Sequence, residues 1–220
     1  MKKNLVLFVL FILPIVAYLF FASGVNSFSK LPFITKNVSE FGKWKSNDDK
    51  TIQLKGKITI LGFSGNEVYA KRGNYFNLSQ KIYKKYSEFK DFQIVIIAPI
   101  GSEKEVDSVM NKLKSVSEMN HWHFLYAQPN EIDAFYKTLN LKENLTIQKG
   151  TSNVYIIDKD KNLRGRKGFN NKKDTEYKEG YNTSLVSELH NEMTDDVRII
   201  LAEYRLALKK NNANRKKYGL

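Results

Sequence analysis

Chemistry has few places to sit in this chain. The stretch 57–78, KITILGFSGNEVYAKRGNYFNL, runs from an apolar strand pattern through a glycine-punctuated loop, 64–73, into a helical pattern. A strand-to-helix junction of this kind aims backbone N–H groups at one point, and with Lys71 and Arg72 between Gly65 and Gly73 it could hold an anion. It lacks the Gly-Lys-Ser/Thr ending of a phosphate loop, so the stretch reads as a junction rather than a phosphate site. Met119, His121 and His123 alternate. On a strand they would share one face, with Trp122 and Phe124 on the other, and a Met-x-His-x-His ladder suits copper or zinc. These residues are the metal candidates of the sequence; the remaining histidine, His190, is distant in the chain. Asp158 and Asp160 have the spacing of a cation loop, but Asp-Lys-Asp-Lys-Asn without a following Gly and Glu is turn chemistry.

The chain has no cysteine, which excludes disulfides, thiol nucleophiles and thiolate metal sites. No Ser-His-Asp set or strand-end carboxylate pair stands out. The expectation is therefore a non-enzyme, without a catalytic residue and without a resident cofactor unless copper occupies the Met/His ladder.

Residues 58–63 form a β-branched, continuous apolar run, as expected of a strand covered on both faces. Tyr75, Leu78, Ile82, Tyr86 and Phe89 recur at helical spacing after the loop. A second strand is expected over 92–98, stopped by Pro99 and Gly101. Ser102 and Glu105 have the spacing of a capping box opening a helix with Val106, Val109, Met110, Leu113 and Val116 on one face. A third strand is expected over 121–126. Pro129 suits a first helical turn, and Ile132, Phe135, Tyr136 and Leu139 form the next stripe. After a polar loop at 140–152, a fourth strand (153–158) turns into a hairpin partner at 163–166. A final helical stripe runs from Leu185 through Leu189, Met193, Val197, Ile200 and Tyr204 to Leu208, with a break expected near Thr194 and Asp195. The order βαβαβα followed by ββα gives a mixed sheet with an antiparallel edge.

Residues 1–23 carry Lys2 and Lys3 before an apolar run over 5–22. The run is long enough for a hydrocarbon core of about 30 Å. The lysines favour an N-terminus inside and a domain outside. The domain plan is thus an anchor at 1–23, a spacer with a short hairpin at 24–50, an α/β domain at 51–208 and a basic tail at 209–220. The expected location is the cell membrane, single-pass, with the domain on the extracytoplasmic (periplasmic) side; the alternative is secretion after cleavage near residue 23. Hydrophobic residues make up 42% and the net charge is +13. The first supports a proper core; the second suits an anionic membrane surface or an acidic partner. No basic stretch interleaved with aromatics points to nucleic acid.

The chain resembles the Sco/SenC group of membrane-anchored, thioredoxin-like copper and redox proteins. The resemblance rests on the N-terminal anchor, Lys55-Gly56-Lys57, the strand ending at Phe63, Trp122-His123-Phe124-Leu125 before a helix, and Val154-Tyr155-Ile156-Ile157-Asp158 before Leu163-Arg164-Gly165. It covers roughly residues 45–205 and implies a three-layer thioredoxin-like domain. The family's Cys-x-x-x-Cys falls in the loop 64–73, where Glu67, Tyr69 and Arg72 are poor substitutes. Its histidine aligns with Gly150, within a residue. Copper(I) favours thiolates and thiol–disulfide exchange requires one, so both activities are expected to be absent. The expected function is a non-catalytic binding or assembly module, with Tyr69, Lys71, Arg72 and Tyr75 as partner contacts. The alternative is a copper-handling factor for respiratory-oxidase assembly that uses Met119, His121 and His123. Either would have a respiratory or copper-assembly protein as partner.

Overall fold

The computed structural model describes residues 8, 10–16, 18, 30–168 and 177–218, with side chains in the last helix through residue 207. The centre of the fold is three strands, β3 (Ile58–Ser64), β4 (Phe92–Pro99) and β5 (Trp122–Ala127). β3 pairs parallel with β4, and β4 parallel with β5. All are buried along their length, and alternation sends their side chains into two separate cores. Ile58, Ile60, Phe92, Ile94, Ile96, Trp122 and Phe124 point into one, and Leu61, Phe63, Val95, Ile97 and Leu125 into the other.

Three helices cover the first face. α1 begins as Arg72–Leu78, passes through a π-turn at Ser79–Tyr83 and ends with Lys84–Tyr86. α2 is Glu103–Lys114. The second face carries α3 (Pro129–Thr138) and residues from the 38–54 segment. α4 begins as Val186–Glu188, takes a π-turn at Leu189–Met193 and continues as Thr194–Tyr218; Leu189, Met193, Val197 and Ile200 bury on the first face. Each π-turn inserts one extra residue. The expected irregularity before Thr194 is this turn rather than a break. Phe89, Val116 and Leu185 were expected on buried stripes but are exposed. Phe89 and Val116 follow the last residue of their helices, and Leu185 precedes the first of its own.

On the other side of β3 lies β6 (Gly150–Ile157), antiparallel to it. The strand begins inside the expected 140–152 loop because Gly150 already pairs with Ser64. Beyond β6 come β7 (Leu163–Arg164) and β10 (Tyr181–Asn182), each antiparallel to β6. A separate ribbon pairs β8 (Arg166–Lys167) with β9 (Tyr177–Lys178). Among the described residues of 24–50 the two strands do not pair with each other as the expected hairpin would. β1 (Phe33–Thr35) pairs with β7, while β2 (Lys45–Ser46) pairs with β5, at the opposite edge of the sheet. The segment crosses the second face to satisfy two edges rather than folding on itself, as edge strands require partners.

Buried Arg164, 1% exposed, ties the β1–β7 edge to α4. It donates to Asp158 at 2.9 Å, to Glu203 at 3.0 Å and to the Leu31 carbonyl at 2.8 Å. Asp158 also accepts from the backbone N–H groups of Asp160 and Asn162, each at 2.9 Å, so the Asp158–Asn162 segment is a turn, as expected. Of the expected anchor, residues 10–16 are helical and exposed, and most of the remainder lies outside the described residues. Among the described residues no helix is long and apolar enough to cross a membrane. The basic tail was expected to fray; its backbone instead continues α4 through Tyr218.

Candidate functional site

β3 delivers Ser64 to the end of the sheet, and β6 delivers Gly150 directly opposite it. The chain turns at Gly65, where φ is +67° and a Cβ would stand 2.8 Å from the Gln148 carbonyl, so both backbone conformation and space call for glycine. Asn66 N–H donates to that same carbonyl at 3.2 Å. The loop 64–73 therefore rests on the start of β6, and the two segments that the resemblance brings together do meet.

What fills the junction is Lys71. Its side chain folds back so that Nζ donates to the Ser64 carbonyl at 2.8 Å. The ammonium stands over Gly150, where a Cβ would be 2.5 Å from Nζ and 2.7 Å from the Ser64 oxygen. Burial pushes the Lys71 ionisation below the usual lysine range, with Glu67 opposing the shift. Ser64 is 1% exposed and its hydroxyl turns inward to the carbonyls of Gly65 and Ile97, at 2.9 and 3.2 Å. It is spent on the backbone and does not face solvent as a nucleophile would. Copper does not fit this place. Among the described residues the charged group that lines it is the Lys71 cation, and neither thiolate nor imidazole does.

The expected partner contacts divide. Tyr75 is 5% exposed and packs edge-on against Trp122 and Phe124. It belongs to the core because the first turn of α1 faces the sheet. Its buried hydroxyl makes no hydrogen bond, and burial pushes its ionisation far up. A void of about 10 Å³ between Tyr75, Gly62, Lys71 and Thr151 is roughly one water in size. Lys71 is likewise turned inward. Tyr69 and Arg72 do face outward, with a residue that sequence reasoning missed. Lys112, from the last turn of α2, donates to the Tyr69 hydroxyl at 2.6 Å, and its Nζ lies 4.7 Å from the ring centroid. The Arg72 guanidinium lies 4.6 Å from the same centroid. The hydrogen bond from Lys112 lowers the Tyr69 phenol ionisation. Glu105, expected in a capping box with Ser102, instead accepts from Tyr69 N–H at 2.8 Å, and Ser102 makes no side-chain cap. The box spacing was genuine, but a loop N–H on the neighbouring element captured the carboxylate.

The metal ladder does not assemble. Trp122 N–H bonds back to the Met119 carbonyl at 3.2 Å, so the chain turns there and strand alternation starts at Trp122. Met119 consequently joins the core of Trp122 and Phe124, while His123 points to the other face. His123 is 5% exposed and its Nδ1 lies 3.2 Å from Asp48 Oδ2. Burial lowers its ionisation. His121 precedes the strand, half-buried, and its N–H donates to the Tyr83 hydroxyl at 3.0 Å. Among the described residues no group of three or more His, Asp or Glu side chains could hold a metal ion.

No protein-family model matches the chain, and no curated protein matches it. Solved structures do. A candidate protein disulfide isomerase from Bacteroides thetaiotaomicron superposes with a TM-score of 0.52 at 12% identity, over 79% of this chain and 95% of that one. BsSco, a member of the Sco family of cytochrome c oxidase assembly proteins, gives 0.47 at 16% identity, over 70% and 88%. A thiol:disulfide interchange protein of the thioredoxin family from Chlorobium tepidum gives 0.44 at 20% identity, over 62% and 86%. The chain is similar to Sco-family and thioredoxin-family structures, and it has a thioredoxin-like α/β fold with a mixed central sheet.

Proposed function

We propose that this protein is a membrane-anchored, extracytoplasmic thioredoxin-like domain of Sco type that performs neither thiol nor copper chemistry and works as a binding or assembly module. The observation that carries the reading is Lys71: its ammonium stands over Gly150 and bonds the Ser64 carbonyl, so the junction is closed by a cation. Net charge +13 and the apolar run over 5–22 support the membrane location. The contact surface is the Tyr69–Arg72–Lys112 cluster, an aromatic ring held between two cations. It suits an acidic face on a protein partner, in respiratory or copper assembly by the Sco resemblance.

Crosslinking and affinity purification of the full chain from intact membranes tests this. Wild type is expected to retain a discrete partner that the Tyr69→Ala/Arg72→Ala/Lys112→Ala variant loses, with equal membrane levels of both. Retention of every co-purifying protein by the variant would refute the surface.

A further inference from the structure

At the β2–β5 edge the carboxyl ends of β4 and β5 open into a cleft of about 510 Å³, within the usual range of small-ligand sites. It lies away from Lys71 and plays no part in the reading above. Ile100 and Trp44 give it apolar walls, and Glu103, Asp107 and Glu131 give it carboxylates. In a protein of net charge +13, a local acidic cleft needs a reason of its own.

The carboxylates are only partly used. Glu103 accepts from Gly101 N–H through Oε1, and Glu131 accepts from Gln128 N–H through Oε2. Each keeps a second oxygen that accepts no hydrogen bond among the described residues. Asp107 has neither hydrogen bond nor ion pair among the described residues. Between them stands Tyr126, 7% exposed, which lines the cleft and whose hydroxyl has no hydrogen-bond partner among the described residues. The ring is packed in the protein while the hydroxyl opens into the cleft, so a ligand there can take its hydrogen bond in place of water. Burial and the Asp107 and Glu103 carboxylates oppose its ionisation, so it stays a neutral hydroxyl. Trp44 is anchored from behind by Phe41 and Phe135, with centroids 6.0 and 5.6 Å away. Lys43, Lys45 and Asp49 form the rim, the last two paired at 3.6 Å.

Carboxylates around an aromatic wall, with a neutral hydroxyl beside them, recognise an organic cation: the acids supply charge, and an indole attracts a cation lying against it. A bare metal ion is disfavoured, since among the described residues no three acidic or histidine side chains converge. We propose that this cleft binds an aliphatic ammonium group, Asp107 and Glu103 holding the charge, Trp44 and Ile100 the chain, and Tyr126 adding a hydrogen bond to the ligand.

The test uses the full chain in neutral detergent. Trp44 lines the cleft while the second tryptophan, Trp122, is 1% exposed in the core, so emission and acrylamide quenching follow the cleft. Cadaverine probes a free amine, N-acetyl-lysine methylamide probes a lysine side chain, and 1-pentanol is the uncharged control. One or both amines are expected to give saturable emission changes and calorimetric heats that weaken with salt, with none from pentanol. Tighter binding of cadaverine identifies a free amine as the source, and tighter binding of the lysine analogue a lysine side chain. Asp107→Asn, on the exposed face of α2, is expected to weaken binding about tenfold, and Tyr126→Phe about threefold. Equal response to pentanol, unchanged affinity in Asp107→Asn, or no saturable response to either amine would each overturn the proposal.

Discussion

Replacing Gly150 with Ala adds one methyl group at the point where the junction is tightest. The new carbon would stand 2.5 Å from Lys71 Nζ, 2.7 Å from the Ser64 carbonyl oxygen and 2.9 Å from Gly65 N. The lysine tip can swing away, but only by giving up its bond to Ser64. The two backbone atoms cannot move without disturbing the β3–β6 pairing. Overpacking of this kind costs about 1–3 kcal/mol, offset by roughly 0.4–1 kcal/mol from the stiffer unfolded chain. The net loss is then about 1–2 kcal/mol. With a urea slope of roughly 2 kcal/mol/M for a domain of this size, the unfolding midpoint should fall by ~0.5–1 M. The assay is equilibrium urea unfolding followed by the emission of Trp44 and Trp122 together, requiring an unchanged slope. Lys71→Ala removes the nearest clash, so the double variant should lose less than the sum of the singles, by about 0.5–1 kcal/mol. A Gly150→Ala midpoint equal to or above wild type would show the junction to be open and would refute Lys71 as its plug.

Arg164→Met leaves Asp158, 1% exposed, without its cation; a loss of about 3 kcal/mol is expected in the same assay, and adding Asp158→Asn should recover part of it. Burial holds the folded His123 ionisation below the usual histidine value of 6.5. The unfolded chain thus takes up the proton first, and this contribution to stability is complete above pH 6.5 and lost as pH falls below it. His123→Gln should flatten the difference between pH 7.5 and pH 5.5 unfolding midpoints, whereas an identical difference would exclude this histidine as its source. Asp196 behaves oppositely. Burial raises its ionisation against the opposing hydrogen bond from the Tyr181 hydroxyl at 2.6 Å, so its contribution is largest below the usual aspartate value of 3.8 and is lost as pH rises through the folded value; Asp196→Asn should remove that slope.

Much of the fold was legible because the three central strands are covered on both faces and therefore read as continuous apolar runs, such as Ile58 to Phe63 and Phe92 to Ala98. The helical stripes were legible because each helix buries one face at a 3.6-residue spacing; near Thr194 the pattern showed an irregularity, and the structure makes it a π-turn rather than a break. Residues whose fate depends on a distant partner were not. β1 and β2 are two or three residues long, too short to carry a period, and nothing local says that they cap opposite edges. Glu105 fitted a capping box, yet the nearby loop offered it Tyr69 N–H. Met119 fitted a ladder with His121 and His123 only while the strand was assumed to include it; a turn moved it to the other core. The glycine opposite the loop could be found by alignment, but not the lysine above it. Lys71 and Tyr75 lie four residues apart, yet only their packing tells the plug from the core. For Lys112, the late basic residue of α2 with a tyrosine in the facing loop was the available signal, and it becomes specific only once the helix is docked.

The most direct test of the central claim is a Cu(I) competition titration of the full chain against a chromophoric Cu(I) chelator under reducing conditions. A junction closed by Lys71, with Met119 and His123 on opposite faces, predicts that the chelator keeps its copper at every protein concentration. Stoichiometric withdrawal of one Cu(I) per chain, abolished by His121→Ala or His123→Ala, would contradict it.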